Sequence, residues 1–104
     1  MQWLGLIRTG EQSLRAMIDP QGAGRPAVVL LRDEQRRPVA VLTIAVPAVS
    51  LQPGEILVKT WGENAPLREP ALQSGLFEDT GRRIPLGDQE AQVWRVLPQD
   101  ADDQ

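Results

Sequence analysis

Two short apolar runs, 27–31 and 39–46, stand on either side of the polar stretch 32–38. Runs this brief, rich in Val, Leu and Ile and joined by a few charged residues, predict an antiparallel hairpin. Neither run alternates strictly, so each places apolar groups on both faces. Strands of that kind lie at the centre of a sheet covered on both sides, or turn one face to a partner chain. Pro47 is expected to end the second strand, because proline has no amide to give a ladder.

The flanking segments add further elements. Trp3, Leu4, Leu6 and Ile7 predict a short strand. In 11–18 the spacing of Leu14, Met17 and Ile18 favours a short helix, with a second strand as the alternative. Asp19-Pro20, followed by Gly22 and Gly24, marks a loop. Gln52-Pro53-Gly54 has the Pro-Gly order of a type II turn. Beyond it, Ile56, Val58 and Thr60 point to the core, while Leu57, Lys59 and Trp61 share the other face of a strand. Asn64 is placed to cap a helix whose stripe is Leu67, Ala71, Leu72 and Leu76. Pro70 is tolerated if that helix starts near Leu67, and Gly75 would close it. Asp79-Thr80-Gly81 reads as a turn, 82–86 as an edge strand containing Pro85, and Gly87-Asp88 as another turn. The last strand, 90–97, sets Ala91 and Val93 on one face and Trp94 and Val96 on the other. The expected fold class is α+β, a mostly antiparallel sheet of about four to six strands with one or two short helices packed on it.

The inventory restricts chemistry more sharply than it suggests any. Among 104 residues, 41% of them hydrophobic, there is no cysteine and no histidine. Disulfide scaffolds, thiol catalysis, imidazole acid–base chemistry and Cys or His metal sites are excluded. No catalytic residue, metal ligand or cofactor is nominated. Residues 1–97 are read as one domain and 98–104 as an acidic, disordered tail. The formal charge of −3 belongs to that tail, whose Asp100, Asp102 and Asp103 leave eleven acidic and eleven basic residues in the body. No apolar stretch reaches the roughly 20 residues of a membrane span. No basic segment precedes 3–7 as in a signal peptide. A cytoplasmic protein without membrane contact is therefore expected.

Ten arginines stand against one lysine, Lys59. The pairs Arg36-Arg37 and Arg82-Arg83 are the candidates for nucleic-acid contact. Each is flanked by acids, Asp33 and Glu34 or Glu78 and Asp79, so nucleic acid is a disfavoured partner. Lys59, Trp61, Glu63 and Asn64 form the candidate ligand site, a strand end meeting a helix start. Their structural alternative is that Asn64 caps the helix, Glu63 pairs with Lys59 and Trp61 packs beneath. Glu55, Glu63, Glu69, Glu78 and Asp79 are available carboxylates, but no spacing joins two of them in one cleft. Gly22-Ala23-Gly24 lacks the spacing and lysine of a phosphate loop. Trp3, Trp61 and Trp94 read as core or interface anchors.

The stretch Gly54-Glu55-Ile56-Leu57-Val58-Lys59-Thr60-Trp61-Gly62-Glu63-Asn64 resembles a pattern in small uncharacterised proteins of microbes and their mobile elements. In those, a strand ending in Lys-x-aromatic is followed by Glu-Asn, a short helix ending in Gly, an acidic turn and a final strand. The resemblance covers 54–96 and implies a shared fold. The leading functional expectation is a small non-enzymatic interaction or regulatory module that binds a protein partner or self-associates. The alternatives are an anion or nucleotide binder, or an enzyme, using Lys59, Glu63 and Asn64, and nucleic-acid binding through the Arg pairs.

Overall fold

The computed structural model describes residues 1–10, 12–20, 26–46 and 49–98. Its strands form two antiparallel sheets. The first is a meander of β1 (Gln2–Thr9), β2 (Gln12–Asp19), β3 (Val28–Arg32) and β4 (Pro38–Val41), paired in that order. The second contains β5 (Glu55–Val58), β6 (Phe77–Leu86) and β7 (Gln89–Val96), with β7 in the centre. Between β5 and β6 a 3₁₀ turn, Gly62–Leu67, runs into the single α-helix, α1 (Arg68–Gln73). The α+β class and the antiparallel pairing are those expected, but the strands are shared between two sheets.

The chain crosses from one sheet to the other at 42–44. The Leu42 amide still donates to Val29 of β3 (2.9 Å), while the Lys59 amide donates to Leu42 and the Ile44 amide to Leu57. Thr43 bridges to Val58, and its hydroxyl receives the Val29 amide at 3.1 Å. One short segment thus satisfies backbone groups of both sheets, which would be costly to leave unpaired in a buried position.

The main core lies between the sheets. Ile7, Leu14, Ala16, Val29 and Leu31 from the first sheet meet Ile56, Val58, Phe77 and Trp94 from the second, with Ala71 and Leu76 closing the side next to α1. Trp94 is fully buried against Phe77, ring centroids 5.7 Å apart. A smaller cluster covers the outer face of the second sheet. There Leu57, Ala91 and Val93 lie under Ile44, Val46, Val49, Leu51 and Trp61. The two faces of β7 divide as the sequence implies, and both faces of β5 are covered.

Several expectations need correction. Residues 12–19 form β2 rather than a helix. Leu14, Ala16 and Ile18 are buried and alternate with half-exposed Ser13, Arg15 and Met17. Ala16 hides this period of two because it adds little apolar weight, while Leu14, Met17 and Ile18 happen also to fit a period near 3.6. The hairpin 28–41 is present, but β3 alternates in burial and β4 forms the edge of its sheet, so neither is covered on both faces. Asp79-Thr80-Gly81 is a bulge inside β6, with Gly81 at φ +88°, and the strand continues through it. The Pro-Gly turn is as expected, with Gly54 at φ +85° and the Glu55 amide reaching Gln52 at 3.0 Å. Pro70 falls in the first turn of α1, and Gly75 follows the helix at φ +82°. The readings of 21–25, Pro47 and 99–104 lie outside the described residues. Among the described residues no helix is long and apolar enough to cross a membrane.

Candidate functional site

The cluster at the end of β5 comes together in space; Lys59, Glu63 and the Asn64 amide nitrogen are occupied, while Asn64 Oδ1 is buried with no hydrogen-bond partner. Lys59 Nζ donates to Glu63 Oε2 at 3.0 Å. The Glu63 carboxyl sits below its ordinary pKa, first because its own backbone amide faces it and then because of the Lys59 ammonium. Trp61 packs on the outer cluster of the second sheet. Asn64 does not cap the helix. It lies within the 3₁₀ turn, 1% exposed, and its amide group donates to the Val41 carbonyl (3.0 Å) and the Lys59 carbonyl (3.1 Å). A cap residue needs extended backbone just before the helix, and Trp61 has that conformation here.

Three of the four paired arginines are likewise engaged. Arg37 binds Asp33, whose carboxylate also receives the Arg37 and Gln35 amides and is held below its ordinary pKa chiefly by the Arg37 amide. Arg83 forms a two-pronged contact to Asp79, both bonds 2.8 Å. That fork, with help from the Gly81 amide and Arg68, keeps the Asp79 carboxyl ionised below the usual range. Arg68 links Asp79 to Gln92, and Gln92 accepts from the Trp94 indole, so this network ties α1 to the second sheet. Arg82 donates to the Ser50 carbonyl. Among the described residues Arg36 alone of the four has no side-chain hydrogen bond or ion pair.

What sequence reading missed is the outer face of the first sheet. Register places Trp3 beside Met17, Met17 beside Leu30 and Leu30 beside Val41, an apolar row across all four strands. The next row is Leu6, Arg15 and Arg32. Trp3 is 50% exposed, Leu6 41%, Val39 45% and Val41 48%. Apart from the first residue, Met1, these are the strongly exposed large apolar side chains among the described residues. Isolated exposed apolar residues need no explanation, but grouped on one face they mark an interaction surface.

Arginines surround the row. The Arg15 guanidinium lies 5.0 Å from the Trp3 ring centroid, a cation–π contact. Trp3, Arg15, Met17, Arg32 and Arg36 line a cavity of about 190 Å³. A larger cavity, about 450 Å³, opens between the sheets beside Leu4, Ile18, Ile56 and Val96, and its rim includes Pro20 and Pro98. Among the described residues no three acidic side chains converge.

Compared with known proteins, the chain matches no family model, no curated protein and no solved structure. The functional reading therefore rests on the geometry of the sheet face.

Proposed function

We propose that this chain is a small non-enzymatic interaction module, acting in the cytoplasm, that docks a protein partner on the outer face of its four-stranded sheet. One observation carries the reading. The outer face of the second sheet is covered by Ile44, Val46, Val49, Leu51 and Trp61, whereas no described residue covers the outer face of the first around Trp3, Leu6, Val39 and Val41. Trp and Arg together, with no lysine on that face, are the composition of binding hot spots.

The other readings find less support. A ligand at Lys59 would have to displace Glu63, and the Asn64 amide nitrogen is committed to two backbone carbonyls. A nucleic acid gripped by the arginine pairs would have to break Arg37 from Asp33 and Arg83 from Asp79. Self-association face to face is opposed by charge. Strands β1 to β4 place Arg8, Arg15 and Arg32 on that side against the single carboxylate Asp19. A second copy would bring more arginine and little to neutralise it.

The test is site-specific crosslinking in the organism that encodes the chain. A photoreactive amino acid replaces Leu6 on the face, or Asp88 in the β6–β7 turn as a control. Discrete adducts from position 6 that vanish with Trp3→Ser are expected. Equal labelling from both positions, or none from position 6, would overturn the reading.

A further inference from the structure

The cavity beside Trp3 says more about the partner than the apolar row does. Its three arginines come from three places in the chain, β2, β3 and the β3–β4 loop, and none pairs with a carboxylate among the described residues. Arg15 is held against Trp3. Arg32 is only partly exposed, and its Nε is shielded from solvent with no hydrogen-bond partner. A donor in that condition is costly to a folded chain, because it has given up water and gained nothing. Arg36 adds a second cost, standing at φ +66°, a left-handed conformation that a long side chain rarely adopts. It is fixed there by Asp33, whose carbonyl receives the Arg36 amide at 2.9 Å and whose carboxylate receives the amides on either side. One unpaired donor and one strained backbone position thus fall beside the same cavity.

Resting on the docking reading above, we infer that the Trp3–Arg15–Arg32–Arg36 cavity receives an Asp or Glu side chain of the partner protein, flanked by apolar residues that lie along the Trp3–Met17–Leu30–Val41 row. The arginine fork matches a carboxylate with two donors at once. The cavity is large enough for one acidic side chain and too small for a folded element. A carboxylate is the anion that an unmodified protein supplies. The aliphatic row argues against a nucleic-acid strand, which offers sugar and phosphate where Leu30, Val39 and Val41 wait. The balanced charge of 1–97 gives no long-range pull on a polyanion either.

The experiment selects displayed random peptides on the intact immobilised chain, then measures the winners against variants. Enriched sequences should carry Asp or Glu within two or three residues of a bulky apolar side chain. Arg15→Gln and Arg32→Met should weaken them tenfold or more, and Arg95→Gln on the other sheet should not. Arg32→Met should also raise the melting temperature of the free chain, because it removes an unpaired buried donor; a lowered melting temperature would make Arg32 structural and overturn the proposal. Peptides without acidic residues, or winners indifferent to both arginine changes, would overturn the carboxylate pocket while leaving the docking face standing. The same holds if selection yields nothing while position 6 still crosslinks. Failure of the crosslinking itself removes the docking face. Stronger binding of a phosphoserine form of the winning peptides, or of a ten-residue oligothymidine in the same cavity, would likewise overturn it.

Discussion

Replacing Asn64 by aspartate should destabilise the fold severely at neutral pH and far less in acid. The side chain is sealed, and its amide group donates to two backbone carbonyls, Val41 at the exit of β4 and Lys59 just after β5. Asn64→Asp removes both donors and sets a carboxylate against two carbonyl oxygens. Leaving each part-buried acceptor without its donor costs about 1–3 kcal/mol, and the sealed carboxylate adds to this, so the change should remove on the order of 3–5 kcal/mol at pH 7. That is a large share of the roughly 5–15 kcal/mol that holds a domain together. The pH dependence has a definite sign. Burial and the two carbonyls favour the neutral, hydrogen-donating form, so the new carboxyl titrates higher in the folded than in the unfolded chain, where it stays near about 3.9. Stability relative to Asn64→Ala is then fully present below the unfolded pKa. It is lost at up to about 1.4 kcal/mol per pH unit as pH rises toward the folded pKa. Urea melts of the wild type and both variants between about pH 4 and pH 7 supply the comparison, since the alanine variant has no group there to titrate. An aspartate variant within about 0.5 kcal/mol of wild type at pH 7, the range of inert surface changes, would refute the structural role and return Asn64 to the candidate ligand residues.

Three further outcomes are expected. Trp3→Ser should cost no more than about 1 kcal/mol, the scale of an exposed cation–π contact. It should also lower the acrylamide-quenchable fluorescence, to which half-buried Trp61 still contributes while Trp94 is fully buried; quenching unchanged from the wild type would show that Trp3 is covered. Asp79→Asn should remove about 1 kcal/mol above the ordinary carboxylate pKa, the scale of a paired surface charge. Because Arg83 lowers the folded pKa of Asp79, the wild type should lose this margin as pH falls below the ordinary value. Parallel acid melts of the two proteins would contradict the pairing. Gly5→Ala should cost about 1–3 kcal/mol by overpacking. A Cβ there would stand 2.8 Å from Leu76 Cδ2, on backbone at φ +157°. A melting temperature unchanged by this substitution would mean that β1 and the end of α1 pack loosely.

Local chemistry was readable where one residue decides the backbone. Gly54 and Gly75 adopt the positive φ that their turns demand, and Pro70 sits where its missing amide is harmless. The two faces of β7 follow directly from Ala91 and Val93 against Trp94 and Val96. Strand β2 was misread because eight residues can satisfy both periods, and only pairing with β1 and β3 chooses between them. Asn64 sits where a cap is expected, yet its partners are backbone carbonyls 5 and 23 residues away. The sheet face was legible only in part. The absence of strict alternation in 27–31 and 39–46 allowed either a strand covered on both sides or a face turned to a partner chain, and did not choose between them. The meeting of Trp3, Arg15, Arg32 and Arg36 depends on register across three strands, which a linear sequence does not display. The arginines that looked significant were adjacent pairs, and adjacency supplied mostly local ion pairs.

The central claim is that the outer face of the first sheet is where a partner binds, and methyl-resolved NMR of the Leu, Ile and Val side chains tests it most directly. During titration with the enriched acidic peptide, the methyl signals of Leu6, Leu30, Val39 and Val41 should shift together. Those of Ile7, Val29 and Leu31, on the buried face of the same strands, should shift far less. Shifts gathered instead around Leu57 and Leu67 at the Lys59–Asn64 cluster, or around Leu4, Ile56 and Val96 at the cavity between the sheets, would contradict the account.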